Sequence, residues 1–102
     1  MAINNTAVGT SPSSIYTSTG NSAITTIHLC NYTANPVTAN LYAVPSGHSA
    51  NNSTIFYSNV QITAFNTLII STEKLILSAG DQIDANVSAS NSVTATVSSI
   101  GI

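Results

Sequence analysis

Residues 37–44 read VTANLYAV, and their alternation decides the fold class of this 102-residue chain. Successive side chains of a β-strand point to opposite faces of its sheet. An apolar residue at every second position therefore predicts a strand with one face on a core, and Thr38 and Asn40 belong to its polar face. The predicted core face consists of Val37, Ala39, Leu41 and Ala43.

The preceding segment, residues 23–32, shows the same pattern, with Ile27 and Leu29 on its apolar face. Residues 33–36, which read TANP, are typical of a turn. We therefore expect the two strands to form an antiparallel hairpin, in which Ile27 and Leu29 face the same core as Leu41.

The rest of the chain shows no helical period of 3.6 residues. Short β-rich segments alternate with turn residues, at a spacing of roughly 8–12 residues. Residues 78–81, which read SAGD, predict a tight turn because Gly80 tolerates a positive φ and Asp81 can accept nearby backbone N–H groups. The pattern predicts an all-β fold, a single antiparallel β-sandwich of about eight short strands, of immunoglobulin-like or jelly-roll type. Leu77 and Ile83 are predicted to join Leu41 in its core.

The chain length is that of one domain. Residues 1–13 are polar and predict an N-terminal arm that becomes ordered only against a neighbour or against the domain itself, without supplying a core element. Residues 14–102 are predicted to form the β-sandwich domain. Its strand from Thr67 to Thr72 is continued or followed by residues Lys74 to Leu77. No signal peptide is predicted, because the first residues include neither a basic segment nor an apolar run.

Charged residues make up only 4% of the chain, against about 25% in an ordinary soluble domain. One lysine cannot neutralise a row of phosphates, so no nucleic-acid partner and no anionic membrane surface is predicted. No apolar run approaches the roughly 18 residues of a membrane span. Weak repulsion between like charges suits a protein that is packed in many copies. The charged residues are Glu73, Lys74, Asp81 and Asp84.

Two groups of residues are candidates for chemistry. His28 and Cys30 lie two residues apart on one strand face, but a metal site would also need His48 or an Asp. Asp81 and Asp84 are three residues apart, and we interpret them as a turn Asp beside a solvent-facing strand Asp, since calcium requires more anionic oxygens. The Gly-x-Ser-x-Gly motif of hydrolases is missing. We therefore predict no catalytic residue, no metal site, no cofactor and, with a single cysteine, no intrachain disulfide.

Three weaker patterns have structural explanations. The aromatic residues are predicted to pack in the core or at an interface rather than to stack on sugars, with Tyr42 on the face opposite Leu41, either exposed or against a neighbouring subunit. The Asn-x-Ser/Thr sequons arise by chance in so polar a chain, and the Thr-x-Thr pairs reflect β-propensity. The aromatic residues are Tyr16, Tyr32, Tyr42, Phe56, Tyr57 and Phe65; the sequons begin at Asn4, Asn31, Asn51, Asn52 and Asn86; the pairs are Thr17 with Thr19 and Thr94 with Thr96.

Three segments together resemble a known group of proteins. They are residues 27–31, IHLCN; residues 37–47, VTANLYAVPSG; and residues 75–83, LILSAGDQI. Their order and spacing resemble small β-sandwich structural proteins of tailed bacteriophages over roughly residues 14–102. The Asn-rich part of the loop 46–54 departs from that pattern, so the resemblance implies no role for this loop.

The resemblance implies a non-enzymatic component of the virion that is assembled in the host cytoplasm. The first interpretation is a capsid decoration or cement protein, whose partners are other virion proteins, above all the major capsid protein, and copies of itself. The alternative is a tail fibre, neck or baseplate module that binds a receptor or a glycan. A free-standing bacterial adhesin is a third possibility, which the lack of a predicted signal peptide disfavours.

Overall fold

The structure of the chain, a computed structural model, describes residues 2–70 and 75–101. This described part is all β, with nine strands and no helix. Residues 71–74, which include Glu73 and Lys74, lie outside it. The strands are β1 Ala2–Val8, β2 Ser13–Thr17, β3 Ser22–Asn31, β4 Val37–Val44, β5 Ile55–Ile62, β6 Thr67–Ile70, β7 Leu75–Leu77, β8 Gln82–Val87 and β9 Val93–Gly101.

The strands form two antiparallel sheets that face each other across one core. The five-stranded sheet has the order β1-β9-β3-β6, with β7 also paired to β3. The four-stranded sheet has the order β2-β8-β4-β5. The predicted all-β sandwich is therefore confirmed.

Strands β6 and β7 both pair with β3. Strand β9 occupies one side of β3 along its whole length, so β6 and β7 share the other side, opposite residues 27–30 and 22–24 of β3. With β6 and β7 counted together, the first strand pairs with the last, the second with the second-to-last, and so on inward to β4 with β5. A long hairpin that is rolled up in this way is a jelly roll.

The core lies between the sheets and is built from the alternating apolar residues. Leu41 and Ile83 have no exposed area and Leu77 is 6% exposed, so their predicted burial is confirmed. Ile27 and Leu29 belong to the same apolar cluster as Leu41, which confirms that they face one core. Burial of such side chains is the main stabilising term of the fold.

The predicted hairpin of residues 23–32 with residues 37–44 is wrong. Strands β3 and β4 lie in different sheets, and the turn at residues 33–36 carries the chain across the sandwich. In their sheets, β3 pairs with β9 and β4 pairs with β8. Both pairings join residues far apart in the sequence, and alternation within a strand does not specify its neighbours.

The N-terminal residues lie against the domain itself. Strand β1 pairs with β9 residue by residue, from Ala2 opposite Ser99 to Val8 opposite Val93. Val8 is 2% exposed and belongs to the core cluster, so the expectation that residues 1–13 supply no core element is wrong. Residues 2–8 of this segment thus form the edge strand of the five-stranded sheet.

We expect Leu41→Ala to lower the free energy of unfolding by about 2–5 kcal/mol, because truncation of a buried leucine leaves a cavity. Thr38→Ala, on the outer face of the same strand and half-buried, is the matched control and should cost far less. Urea unfolding of the three proteins measures the difference. An unchanged unfolding midpoint for Leu41→Ala would contradict the placement of β4.

Candidate functional site

The outer face of the five-stranded sheet carries an unusual number of exposed isoleucines. Ile76 of β7 and Ile100 of β9 both lie opposite Ala23 of β3, so they flank it in one row across three strands. Ile69 of β6 lies opposite His28, further along the same face. We call this surface the isoleucine face. Its exposed isoleucines, with their exposed fractions, are Ile3 (66%), Ile69 (57%), Ile76 (65%) and Ile100 (43%).

The isoleucine face has no charged residue among those the structure describes. Besides the isoleucines it presents methyl, hydroxyl and amide groups, together with the His28 imidazole and the Cys30 thiol. Single exposed apolar residues are common on protein surfaces, whereas several on one face mark an interaction site. This face is therefore the principal candidate interaction surface.

At one end of the sandwich, the side chain of Asn31 ties together loops from both sheets. It is fully buried, and its Nδ2 group donates to the carbonyl oxygens of Asn35 (2.8 Å), Ile62 (3.2 Å) and Thr63 (3.2 Å). Its Oδ1 atom accepts from the backbone N–H (3.0 Å) and the hydroxyl (2.7 Å) of Thr33. Because the Asn31 side chain is buried in the folded chain, it is not accessible as a glycosylation acceptor, although Asn31 begins a sequon.

Two exposed aromatic side chains lie on the loops that Asn31 holds. Tyr32 is 49% exposed and Phe65 is 72% exposed. Phe65 has a φ of 55°, which is rare for a bulky residue, and its N–H donates to the carbonyl of Thr33 at 3.1 Å. We call these two residues the aromatic tip, a second candidate interaction surface.

At the other end of the sandwich, Asp81 likewise joins loops through hydrogen bonds. Its carboxylate accepts the backbone N–H groups of Ser46 (2.9 Å) and Ser78 (3.0 Å), and its carbonyl accepts the N–H of Ser18 (2.8 Å). The bonds from Ser78 and, secondly, Ser46 lower the pKa of this carboxyl because they favour its charged form. Gly80, at a φ of 89°, allows the close approach, since a Cβ there would lie 2.6 Å from Ser46 Oγ. The predicted tight turn is confirmed.

Asp84 was expected to face solvent, and that expectation is wrong. It lies on the outer face of the four-stranded sheet opposite Tyr42, yet it is only 6% exposed. Burial raises the pKa of this carboxyl, and a hydrogen bond from Gln82 Nε2 to its Oδ1 (2.8 Å) only partly opposes the effect. Asp81 and Asp84 thus have pKa values shifted in opposite directions, and each has its own structural environment.

Tyr42 is 8% exposed within the single chain, so it is neither exposed nor in need of a neighbouring subunit to cover it. It lies on the face opposite Leu41, as predicted, and its hydroxyl donates to Asn86 Oδ1 at 3.1 Å. The side chain of Asn86 in turn donates to the carbonyl of Thr10 at 3.3 Å. These hydrogen bonds hold the segment before β2 against the outer face of the four-stranded sheet. The alternation of residues along the strands alone indicates that this face is open to solvent.

The metal-ligand candidates are spread over the fold. His28 and Cys30 share the isoleucine face, whereas His48 lies in the loop after β4, where its Nδ1 contacts the carbonyl of Ser46 at 3.2 Å. Within the described ranges, no three His, Cys, Asp or Glu residues come together as a metal-binding group. These ranges also contain no helix long and apolar enough to cross a bilayer.

A polar pocket of about 250 Å³ lies beside the turn before β3. The hydroxyl of Tyr16 donates to Ser22 Oγ at 3.1 Å, and Ser18 Oγ lies 2.8 Å from the same atom. Hydrogen bonding with Ser22 and, secondly, with Ser99 lowers the pKa of the Tyr16 phenol. The hydroxyls already bond one another, so the cluster stabilises the turn.

Sequence reasoning missed the isoleucine face, although a signal for it exists. The run Leu68-Ile69-Ile70 is apolar on both faces of β6, and residues 75–77, LIL, repeat the pattern in β7. Each sheet of a two-layer sandwich can bury only one face. An apolar residue on the other face must therefore be exposed, and this rule picks out Ile69 and Ile76.

Comparisons with protein-family models, with curated proteins and with solved structures find no match to this chain. The class that the fold defines is a jelly-roll β-sandwich.

Asn31→Ala is expected to lower the free energy of unfolding by more than about 2 kcal/mol, because backbone groups of both loops lose a buried side-chain partner. Asn35→Ala is the matched control, since Asn35 contributes only its backbone carbonyl to this network. Denaturant titration compares the two. Equal stability of the two variants would show that Asn31 does not hold the loops.

The two aspartates predict opposite pH dependences. The carboxyl of Asp84 has a raised pKa in the folded chain, so it favours folding at low pH and loses that contribution as pH rises through its folded pKa. The pKa of Asp81 is lowered, so its contribution is present above its unfolded pKa and is lost as pH falls through the folded value. At neutral pH, Asp84→Asn should raise the melting temperature and Asp81→Asn should lower it.

Melting curves from acid to neutral pH check both signs, because each variant should converge on the wild type in acid. The same direction of change for both variants at neutral pH would contradict the assignment.

Proposed function

We propose that the chain is a non-enzymatic structural protein of a bacteriophage virion, which decorates or cements the capsid. The observation that carries the proposal is the isoleucine face, an extended sheet surface that is partly apolar and uncharged over its described residues. Such a surface suits contact with protein, because interface cores are depleted in charged residues. The jelly roll is a fold that viral capsid proteins use, which supports the same class by analogy of fold.

The partners in this proposal are other virion proteins, above all the major capsid protein, and further copies of the chain. Each copy places apolar side chains of the isoleucine face on a junction between shell subunits. Weak individual contacts suffice because many copies act on one particle. The contact depends little on ionic strength, since salt screens charge pairs and the described residues of this face include no charged one.

The aromatic tip favours one alternative, a tail fibre, neck or baseplate module that binds a receptor or a glycan. Tyr32 and Phe65 are exposed at one end of the sandwich, on loops that Asn31 holds in place. Aromatic side chains on rigid loops are suited to recognition, because little conformational entropy is lost on binding. In this alternative, a few copies of the chain are part of the tail. In the first proposal, many copies of the chain are bound to the head.

Separation of heads from tails tests the two proposals directly. Particles of the virus that encodes this chain are broken into heads and tails, separated on a gradient, and the chain is quantified in each fraction by mass spectrometry. Decoration predicts the chain on heads in numbers comparable to the shell subunit, retained in high salt. The chain in tails only would establish the alternative, and its absence from both fractions would overturn the virion proposal.

On heads, we expect Ile69→Asp to reduce occupancy strongly, because the substitution replaces an exposed apolar side chain of the isoleucine face with a charge. Gln61→Asp is the matched control, since Gln61 is exposed on β5 of the other sheet and the substitution also adds one negative charge. Melting temperatures of the purified variants confirm that both fold. Equal occupancy of both variants would exclude this face as the contact.

A further inference from the structure

The two open sheets of the sandwich expose four edges, and two of them are irregular. Strand β2 follows Pro12 and its pairing shifts register between Ser14 and Tyr16. Strand β5 is irregular opposite residues 39–42 of β4 and contains Asn59 at a φ of 51°. The third edge is described only at β6 and β7, on either side of residues 71–74. Bulges and short strands are devices by which proteins prevent pairing at a sheet edge.

The fourth edge, β1, has none of these devices. Its seven residues pair with β9 without a register shift. It contains no proline and no charged residue, and the side chains of Ile3, Asn4, Asn5 and Ala7 are exposed. In an antiparallel strand, alternate residues turn their N–H and C=O groups to one side, so half of the backbone groups of an edge strand face outward. The β1 edge is therefore a regular and unprotected template for another strand.

We propose that the free edge of β1 pairs antiparallel with the β1 edge of a second copy, so that two five-stranded sheets join into one continuous sheet. The pairing goes beyond the proposed function, because it concerns the isolated chain and holds whether or not the chain belongs to a virion. The partner is a second copy because an antiparallel pair of identical strands is self-complementary about a two-fold axis.

The chemistry of β1 fits this partner. Like charges directly opposite each other destabilise a strand pair, and β1 has none. Ile3 is 66% exposed on the outer face of β1, so the added strand would cover it with side chains of the same face. Main-chain hydrogen bonds supply the affinity in this mode of association, and the side chains fix its register.

Ile3→Lys tests the proposal, with Ile76→Lys as its control. Ile3 and Ile76 lie on the same face of the same sheet and are 66% and 65% exposed, but Ile76 lies at the opposite edge. Sedimentation equilibrium over a concentration series measures the association of the full chain. We expect dimers for the wild type and Ile76→Lys, and monomers for Ile3→Lys at the same concentrations. A monomeric wild type, or a dimer that only Ile76→Lys disrupts, would overturn the proposal.

A cysteine scan tests the antiparallel pairing of β1 independently of the Ile3→Lys variant. In a Cys30→Ser background, which removes the exposed native thiol, single cysteines replace residues 3 to 7 in turn and are oxidised. Only the residue nearest the two-fold axis faces its own copy, so disulfide dimers should peak at one position and fall on both sides. Equal cross-linking at all positions, or none at any, would exclude antiparallel pairing of β1. Because the scan uses the purified chain, its failure leaves the result of the head and tail separation unaffected.

Discussion

Where the chain crosses from one sheet to the other, its backbone groups leave the sheet ladders and need other partners, because buried unpaired groups are costly. At each end of the sandwich, one polar side chain forms hydrogen bonds with such backbone groups. Asn31 binds the loops around residues 33–35 and 62–63, and Asp81 binds the turns at Ser46 and Ser78. These hydrogen bonds add polar contacts at both ends of the sandwich to the apolar core that the two sheets share.

The hydrogen bonds of Asn31 and Asp81 involve all three segments on which the sequence-based expectation of a resemblance rests. The first segment ends at Asn31, the second ends beside Ser46 at Gly47, and the third contains Gly80 and Asp81. Residues of these segments therefore hold the loops of the rolled hairpin. Neither of the two described aspartates lies on the isoleucine face.

Strand alternation was sufficient to predict the fold class and core residues such as Leu41 and Ile83, because alternate side chains of a strand turn to one face and the apolar face packs inward. Alternation did not predict which strand pairs with β3, because it shows which face of a strand is apolar and not which strand lies beside it. It also failed for Asp84 and Tyr42, whose outward faces are covered by other parts of the chain. Val8 was missed because the few apolar residues of this polar segment, such as Ile3 and Val8, show no period of two.

The sequence by itself determined that this chain is an all-β domain with little charge, where its turns lie, and which side chains of most strands face the core. Those properties depend on neighbours a few residues away, through alternation, glycine conformation and short polar bonds. Only the tertiary structure decided the jelly-roll order, the regular edge of β1 and the single face on which Ile3, Ile69, Ile76 and Ile100 meet. The physical reason is that strand pairing is a long-range choice made by the whole core, because each sheet must bury one face and expose the other.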